Sequence, residues 1–536
     1  MTDLHQTEPQ NIVVISGGTA SNSILSTFSS LSPHISYILP ISDNGGSTSE
    51  IIRVVGGPAI GDLRSRIVRL IPPQSAGLRD LLSHRLSDIR EDAKQEWEEI
   101  VEGTHTLWLP VEPQCREFIR PFFLHIHVEL LKRSRPNREF KFESASVGNL
   151  FLTGARIFCG SLDAAIELLS RLTLVPSSIS VLPALNTNFS HNISAELVNG
   201  FIITGQSQIS HPSSTGINQA SSIGSFFNNP IYLTPPTVNF STHLSSEPTS
   251  SRPSSFTSSE NSDEEDAHLP FSHPDLKTSQ LHFSKDENTP LASPIRRIFY
   301  INPYGQEIHP RASTRVLRTL DKAHVLIYSI GSLFTSTVPV VILQGFANAI
   351  KSPAKKKIVL MNGSLDRETE SLNGMGFIRA LIGACLYSEQ GSSSSSLPYD
   401  NNGSSASLAS QNITQPTNQQ GVFGIYGGGR SALYSQSLND YSTTNSSTNL
   451  HKHSAHSHPI DPYSTESISN AVWSKYITHV VYLKNSSLTF SEANIVYLKS
   501  KGIKCVCVEQ NSCAPKSKQY YSPDDLQKVL SGLIYN

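Results

Sequence analysis

The sequence predicts an α/β fold with a mostly parallel sheet and flanking helices, and three observations predict it. Apolar runs of strand length recur along the 536 residues, amphipathic stretches of helix length alternate with them, and the alternation resumes after each of two low-complexity segments. The strand candidates, in order, are NIVVIS, ISYILPI, SISVLP, GFIITG, RRIFYI, HVLIYSI, KKIVLM, THVVYL and IKCVCV. Most are apolar on both alternating faces, as strands covered by helices on both sides must be. Between them, GDLRSRIVRLI, NLFLTGARIFC with its continuation to Leu174, TSTVPVVILQGFANAI and DDLQKVLSGLI carry helical spacing. Residues 78–140 read as a helical excursion from the sheet, with apolar residues at three- and four-residue steps and charged faces turned to water.

Residues 208–292 and 389–466 differ from everything around them. Stretches such as SSEPTSSRPSSFTSSENSDEED and GSSSSSLPYDNNGSSASLASQNITQPTNQQ bury too little apolar surface to offset the cost of chain ordering. Residues 1–536 are therefore expected to form a single α/β domain interrupted by the excursion and by two disordered insertions. Serines 258, 259 and 262 precede the acidic run Asp263–Asp266, and Thr289-Pro290 and Ser293-Pro294 resemble proline-directed kinase sites. Serine-rich composition produces such matches by itself, and the same applies to His451, His453, His456 and His458 as a metal tract.

A formal net charge of −2 and a sequence pI near 6.8 give no electrostatic reason to expect nucleic acid or an anionic membrane as partner. Six cysteines (Cys115, Cys159, Cys385, Cys505, Cys507, Cys513) without a CxxC pair suit a reducing compartment. No run approaches the ~20 apolar residues of a membrane span. A cytoplasmic setting is expected, with the nucleus open, and a homodimer is the assembly held open.

Chemistry concentrates at strand ends. NIVVIS runs into Gly17-Gly18-Thr19, where residues without Cβ let backbone amides approach a phosphate before a helix start. A tight turn asks for the same glycines, so that alternative stands. ISYILPI likewise ends in Ser42-Asp43-Asn44-Gly45-Gly46-Ser47-Thr48. The carboxyl ends of parallel strands lie on one edge, where ligands bind. Asp43 there suits a ribose hydroxyl or Mg²⁺ beside a phosphate, or an Asx-turn. Asp62 and Arg64 in GGPAIGDLRSR, and Ser146, Gly148 and Asn149 in SASVGNLFLTGARI, stand at two further helix starts; for Asp62 alone an N-cap is the simplest role.

The order SGGTA, SDNGGSTSE, GDLRSRIVRL, SVGNLF, VLPALNT, LVNGFIITGQSQI, INP, AHVLIYSIGSLFTSTVP and AIKSPAKKKIVLMNGSLDRETE resembles one family. It comprises the 2-phospho-L-lactate transferases of deazaflavin-coenzyme biosynthesis and the bacterial gluconeogenesis-factor proteins. The resemblance implies a Rossmann-like core and a phosphorylated, nucleotide-type ligand at the carboxyl edge. In the transferase branch it implies passage of a phospholactyl or related group from a nucleoside diphosphate carrier, with Mg²⁺. In the other branch it implies nucleotide-sugar binding that regulates carbon flux.

Carried over by motif, Gly17, Gly18 and Thr19 wrap the phosphate region, and Asp43, Asn44, Gly45, Gly46 and Ser47 form the adjacent wall. Arg64, Asn149 and Asn186 add polar side chains, and Gly331, Ser332 and Thr335 close the site from the later half of the sheet. Asp43 and Asp62 are the catalytic candidates, and Asp43 the metal candidate. The chain departs from the family pattern at Asn44, where many relatives carry a second acid, at Ala20 and Ala145, and at Ser329–Ser332, which replaces GPGS.

Overall fold

The computed structural model describes residues 9–17, 20–42, 45–135, 139–210, 290–393, 461–484, 486–488, 490–509 and 521–535. Eleven strands occur among them: β1 (Ile12–Ile15), β2 (Ile35–Leu39), β3 (Ile179–Pro183), β4 (Asn192–Leu197), β5 (Ile202–Thr204), β6 (Ile295–Ile301), β7 (Glu307–Ile308), β8 (Val325–Tyr328), β9 (Lys356–Leu360), β10 (His479–Leu483) and β11 (Lys504–Val508). Seven form the main sheet in the order β11-β10-β9-β8-β1-β2-β3, every neighbouring pair parallel. The expected parallel α/β architecture is therefore present. β1 is the hinge of the topology, pairing Ile12 with Ile35 of β2 on one side and with Val325 of β8 on the other. The chain winds outward to β3, then returns across β1 to build the other half. Open α/β sheets bind ligands at such a reversal point.

All nine apolar runs are strands, but GFIITG and RRIFYI leave the main sheet. As β5 and β6 they flank β4 in a separate antiparallel sheet of order β5-β4-β6-β7. β4 (NISAEL) carries polar residues at alternate positions, so its half-polar pattern is weaker than that of the buried parallel strands.

In the first half the helices are α1 (Leu25–Leu31), α2 (Ser47–Val55), α3 (Gly61–Leu70), α4 (Ala76–Ser83), α5 (Arg90–Glu102), α6 (Pro113–Arg133), α7 (Val147–Cys159) and α8 (Leu162–Leu172). The expected excursion is helical, and α5 and α6 pack around Trp97, Trp108 and Phe123, with edge-to-face ring contacts at 5.7 and 5.9 Å. The stretch expected to continue α7 to Leu174 is instead a second helix, α8, whose N-cap Ser161 accepts from Ala164 N at 3.3 Å.

TSTVPVVILQGFANAI is not one helix but a π-type turn (Leu333–Thr337) and two short helices (Val338–Val341 and Phe346–Ile350). The break has a local cause. The Gln344 peptide bonds sideways to another segment, donating to Pro310 O at 3.0 Å and accepting from Ala312 N at 3.2 Å, which takes it out of a helical ladder. No described helix is long and apolar enough to cross a membrane.

Candidate functional site

The glycine turn after β1 meets the turn after β8 at the reversal point. A Cβ on Gly17 would lie 2.6 Å from Ser336 Cβ, so only glycine lets the two loops touch. Gly331 also approaches this point, its would-be Cβ 3.4 Å from Gly17 O. Its peptide is clamped by Asn362, just past β9, which accepts from Gly331 N at 3.1 Å and donates to Gly331 O at 2.8 Å. Gly17, Gly331 and Ser332 thus belong to one edge although more than 300 residues separate them. Ser332 caps the π-type turn, its carbonyl accepting from Ser336 N and Thr337 N at 3.1 and 3.2 Å. Turns of this type often mark functional sites.

Thr335 faces inward. Its N–H and that of Phe334 donate to Glu368 Oε2, both at 3.1 Å, and its hydroxyl donates to Glu368 Oε1 at 2.5 Å, as does Ser210 Oγ. A buried carboxylate therefore holds the amides that a helix start usually offers to a ligand. Burial, reinforced by the Asp366 charge, raises the Glu368 carboxyl above its ordinary range.

The β2 side is organised around cations. Gly46 precedes α2, and its carbonyl accepts from Ser49 N and Oγ at 3.1 and 2.7 Å. Ser47, the first residue of α2, accepts from Asn149 Nδ2 at 3.1 Å, and Asn149 Oδ1 accepts from Arg64 Nε at 3.0 Å. Three sequence-predicted residues from α2, α3 and α7 thus form one buried chain. Arg64 can cross the start of α7 because residue 148 is glycine: a Cβ there would lie 2.8 Å from Arg64 Cδ and 2.3 Å from Leu82 O. Burial, with Arg85 nearby, lowers the Arg64 pKa to about 10, so it remains charged at neutral pH. Asp62 lies in the first turn of α3 and favours that charge, but the N-cap is Ile60, so Asp62 is not the cap.

A second guanidinium, absent from the residues expected from sequence, lies at the same edge. Arg66 is 1% exposed and donates from Nη2 to Ser16 Oγ at 3.2 Å and Ser21 Oγ at 2.5 Å, bracketing the glycine turn after β1. Its Nε and Nη1 have no hydrogen-bond partner among the described residues, and its cation stands 5.0 Å over the Tyr37 ring. The signal was present in GDLRSR, where the arginine two positions beyond Arg64 sits in a helix that also packs inward. Asn362 and Glu368 were missed as well. Both follow the end of β9 in MNGSLDRETE, a further polar cluster at a strand's carboxyl end.

Gly18, Thr19, Asp43 and Asn44 lie outside the described residues, and Gly45 borders them. Asn186, past β3, is exposed and has no hydrogen bond to the Arg64–Asn149 chain. Among the described residues no group of three or more His, Cys, Asp or Glu could hold a metal ion. The described donors thus make no all-protein metal cage.

A family model described as 2-phospho-L-lactate transferase CofD matches residues 12–404. The chain belongs to the CofD family. It is similar to a Saccharomyces cerevisiae relative, "Uncharacterized protein YNL011C", with 47% identity over 378 residues, 69% of this chain and 82% of the relative. It also aligns with two crystal structures of a Bacillus halodurans protein described as a UPF0052 family member. These cover 99% of this chain and 100% of theirs, at 14% identity and a TM-score of 0.48. In this CofD-family chain, Gly17, Arg64, Asn149 and Gly331 come from widely separated parts of the matched span.

Proposed function

We propose that this CofD-family protein binds a phosphorylated, nucleotide-type ligand at the carboxyl edge where β1 lies between β2 and β8. One observation supports this above the others. Arg64 and Arg66 are buried beside that edge, and the neutral groups of Asn149, Ser16 and Ser21 accept their hydrogen bonds. Asp62 favours both charges through space, but a buried cation held by neutral hydrogen-bond partners is costly, and a ligand phosphate would relieve that cost.

As a transferase, the site would bring an acceptor hydroxyl to the phosphorus of a nucleoside diphosphate conjugate. A P–O bond forms to the acceptor oxygen as the P–O bond to the departing nucleoside monophosphate breaks, and the hydroxyl proton passes to a base, for which Asp43 and Asp62 are the candidates. The arginines would stabilise the charge gathering on the leaving phosphate. Mg²⁺ bound by Asp43 and the phosphates would supply further charge neutralisation. The non-catalytic alternative, a nucleotide-sugar-binding regulator, draws support from Asn44 and Ala145, which put neutral groups where many relatives carry an acid and a histidine.

Calorimetric titration of the full chain with GDP, UDP-sugars and a deazaflavin alcohol, with Mg²⁺ and with EDTA, tests both readings. Saturable nucleotide binding is expected. Binding that survives EDTA with no product formed selects the regulator, and absence of saturable binding to every nucleotide overturns the site.

A further inference from the structure

α3 carries its two arginines to opposite sides. Residues two apart on a helix point about 200° apart around its axis, so Arg64 meets Asn149 of α7 while Arg66 turns toward β1. There a single nitrogen, Arg66 Nη2, donates to Ser16 Oγ at 3.2 Å and to Ser21 Oγ at 2.5 Å. Ser16 follows β1 directly, and Ser21 belongs to the short 3₁₀ turn Ala20–Ile24, so the two hydroxyls bracket the glycine turn from its two ends. The same guanidinium stands 5.0 Å over the ring of Tyr37 in β2. One side chain from α3 thereby ties β1, β2 and the start of the following turn together.

Ser16, Ser21 and Arg66 are all 1% exposed or less. The clamp therefore acts on a ligand through the turn and through its charge, not by contact. Gly17, the next residue after Ser16, is the one whose missing Cβ lets the turn touch Ser336. Anchoring Ser16 thus sets the approach of that contact, and with it the junction of the two walls.

As a purely structural group this arginine is poorly suited to its place. Burial lowers its pKa, opposed by Tyr37 and Asp62, and its Nε and Nη1 have no hydrogen-bond partner among the described residues. Unmade buried donors subtract from folding stability, and an unbranched apolar side chain such as methionine would fill the space without them. What methionine lacks is the means to hold two hydroxyl oxygens on one atom. That grip, and the charge behind it, are what the buried guanidinium adds to the edge.

We infer that Arg66 is the positioning residue of the glycine turn: it holds Ser16 and Ser21 on one nitrogen so that the turn's two ends keep the spacing an anionic group needs, at a cost in folding stability. The assignment rests on the phosphate-binding reading above and adds what shapes that site. Calorimetric titration of the full chain with GDP and UDP-glucose, beside urea unfolding, tests it. Arg66→Met is expected to weaken nucleotide binding by about tenfold or more while the urea midpoint holds or rises. Ser21→Ala, which keeps the cation and opens one end of the clamp, is expected to weaken it by about threefold. The double variant is expected to bind no more weakly than Arg66→Met alone, because both changes break one clamp. Unchanged affinity in Arg66→Met, or losses that simply add in the double variant, overturns the assignment and leaves the nucleotide site standing. So does a large fall in the urea midpoint of Arg66→Met together with Ser21→Ala binding as tightly as the unsubstituted chain. No saturable binding of either nucleotide by the unsubstituted chain overturns the phosphate-binding reading itself, and the assignment with it.

Discussion

The two halves of the candidate site solve the same electrostatic problem with opposite signs. On the β1–β2 side the guanidinium groups of Arg64 and Arg66 are buried and held by neutral hydroxyls and an amide. On the β8–β9 side the buried charge is the Glu368 carboxyl, which takes two backbone amides and two hydroxyls. The second half carries its own anion and is complete. The first buries its cations among neutral hydrogen-bond partners, with Asp62 favouring their charge through space. An incoming phosphate is therefore expected on the β1–β2 side, and the later loop acts as a fixed wall that Gly17 packs against.

Four experiments sharpen or break this contrast. The largest effect is expected from Glu368→Ala, which strands the amides of Phe334 and Thr335 and the hydroxyls of Thr335 and Ser210 and leaves a cavity. We expect a loss of about 3 kcal/mol in urea unfolding. A loss within error would show that the later wall does not depend on its internal anion. Next, Gly17→Ala drives a methyl into Ser336, and ligand affinity is expected to fall by about tenfold or more, with partial recovery in Gly17→Ala/Ser336→Gly, since that pair removes the clash at its source. No recovery in the double variant would mean that the contact between the loops is not what the glycine serves.

Arg64→Gln keeps a polar group near Asn149 but removes the charge. Nucleotide affinity is expected to drop by roughly tenfold, about 1.4 kcal/mol, with little change in folding stability. Unchanged affinity would break the contrast, because the cationic half would then not need its cation. The smallest effect concerns pH. The folded-state pKa of Glu368 is raised, so between its ordinary value of 4.5 and about 7 the folded protein binds more protons than the unfolded chain. Stability from this group is present at low pH and is lost as pH rises through that window. Glu368→Gln retains acceptor and donor atoms but does not titrate, so its stability between pH 5 and 7 is expected to decline less steeply in calorimetric melts. A slope identical to that of the unsubstituted chain would refute the assignment.

The same contrast separates what the sequence discloses from what it hides. The parallel strands were legible because burial on both faces demands unbroken apolar runs, and β1 and β8 show it plainly in IVVI and VLIY. The sheet to which each run belongs was not, because an apolar run does not encode its neighbour. GFIITG and RRIFYI joined β4, whose alternate polar positions hid it. Glycine and hydroxyl clusters at the ends of β1, β2 and β8 announced the edge. The buried partners Arg66, Asn362 and Glu368 did not, since their roles depend on contacts with residues up to about 160 positions away, which no local pattern carries.

The strand order also fixes a schedule. β1 needs β8 as one of its two neighbours, and Val325 emerges more than 300 residues after Ile12. At roughly 5–20 residues per second, a growing chain waits on the order of 15–60 s with one edge of its first strand open. The junction of Gly17 with Ser336 is completed only after that wait. A chain cut short before β8 keeps the arginines and the first glycine turn, yet it has no second wall and leaves an apolar strand edge for any chaperone, or any neighbouring chain, to find first.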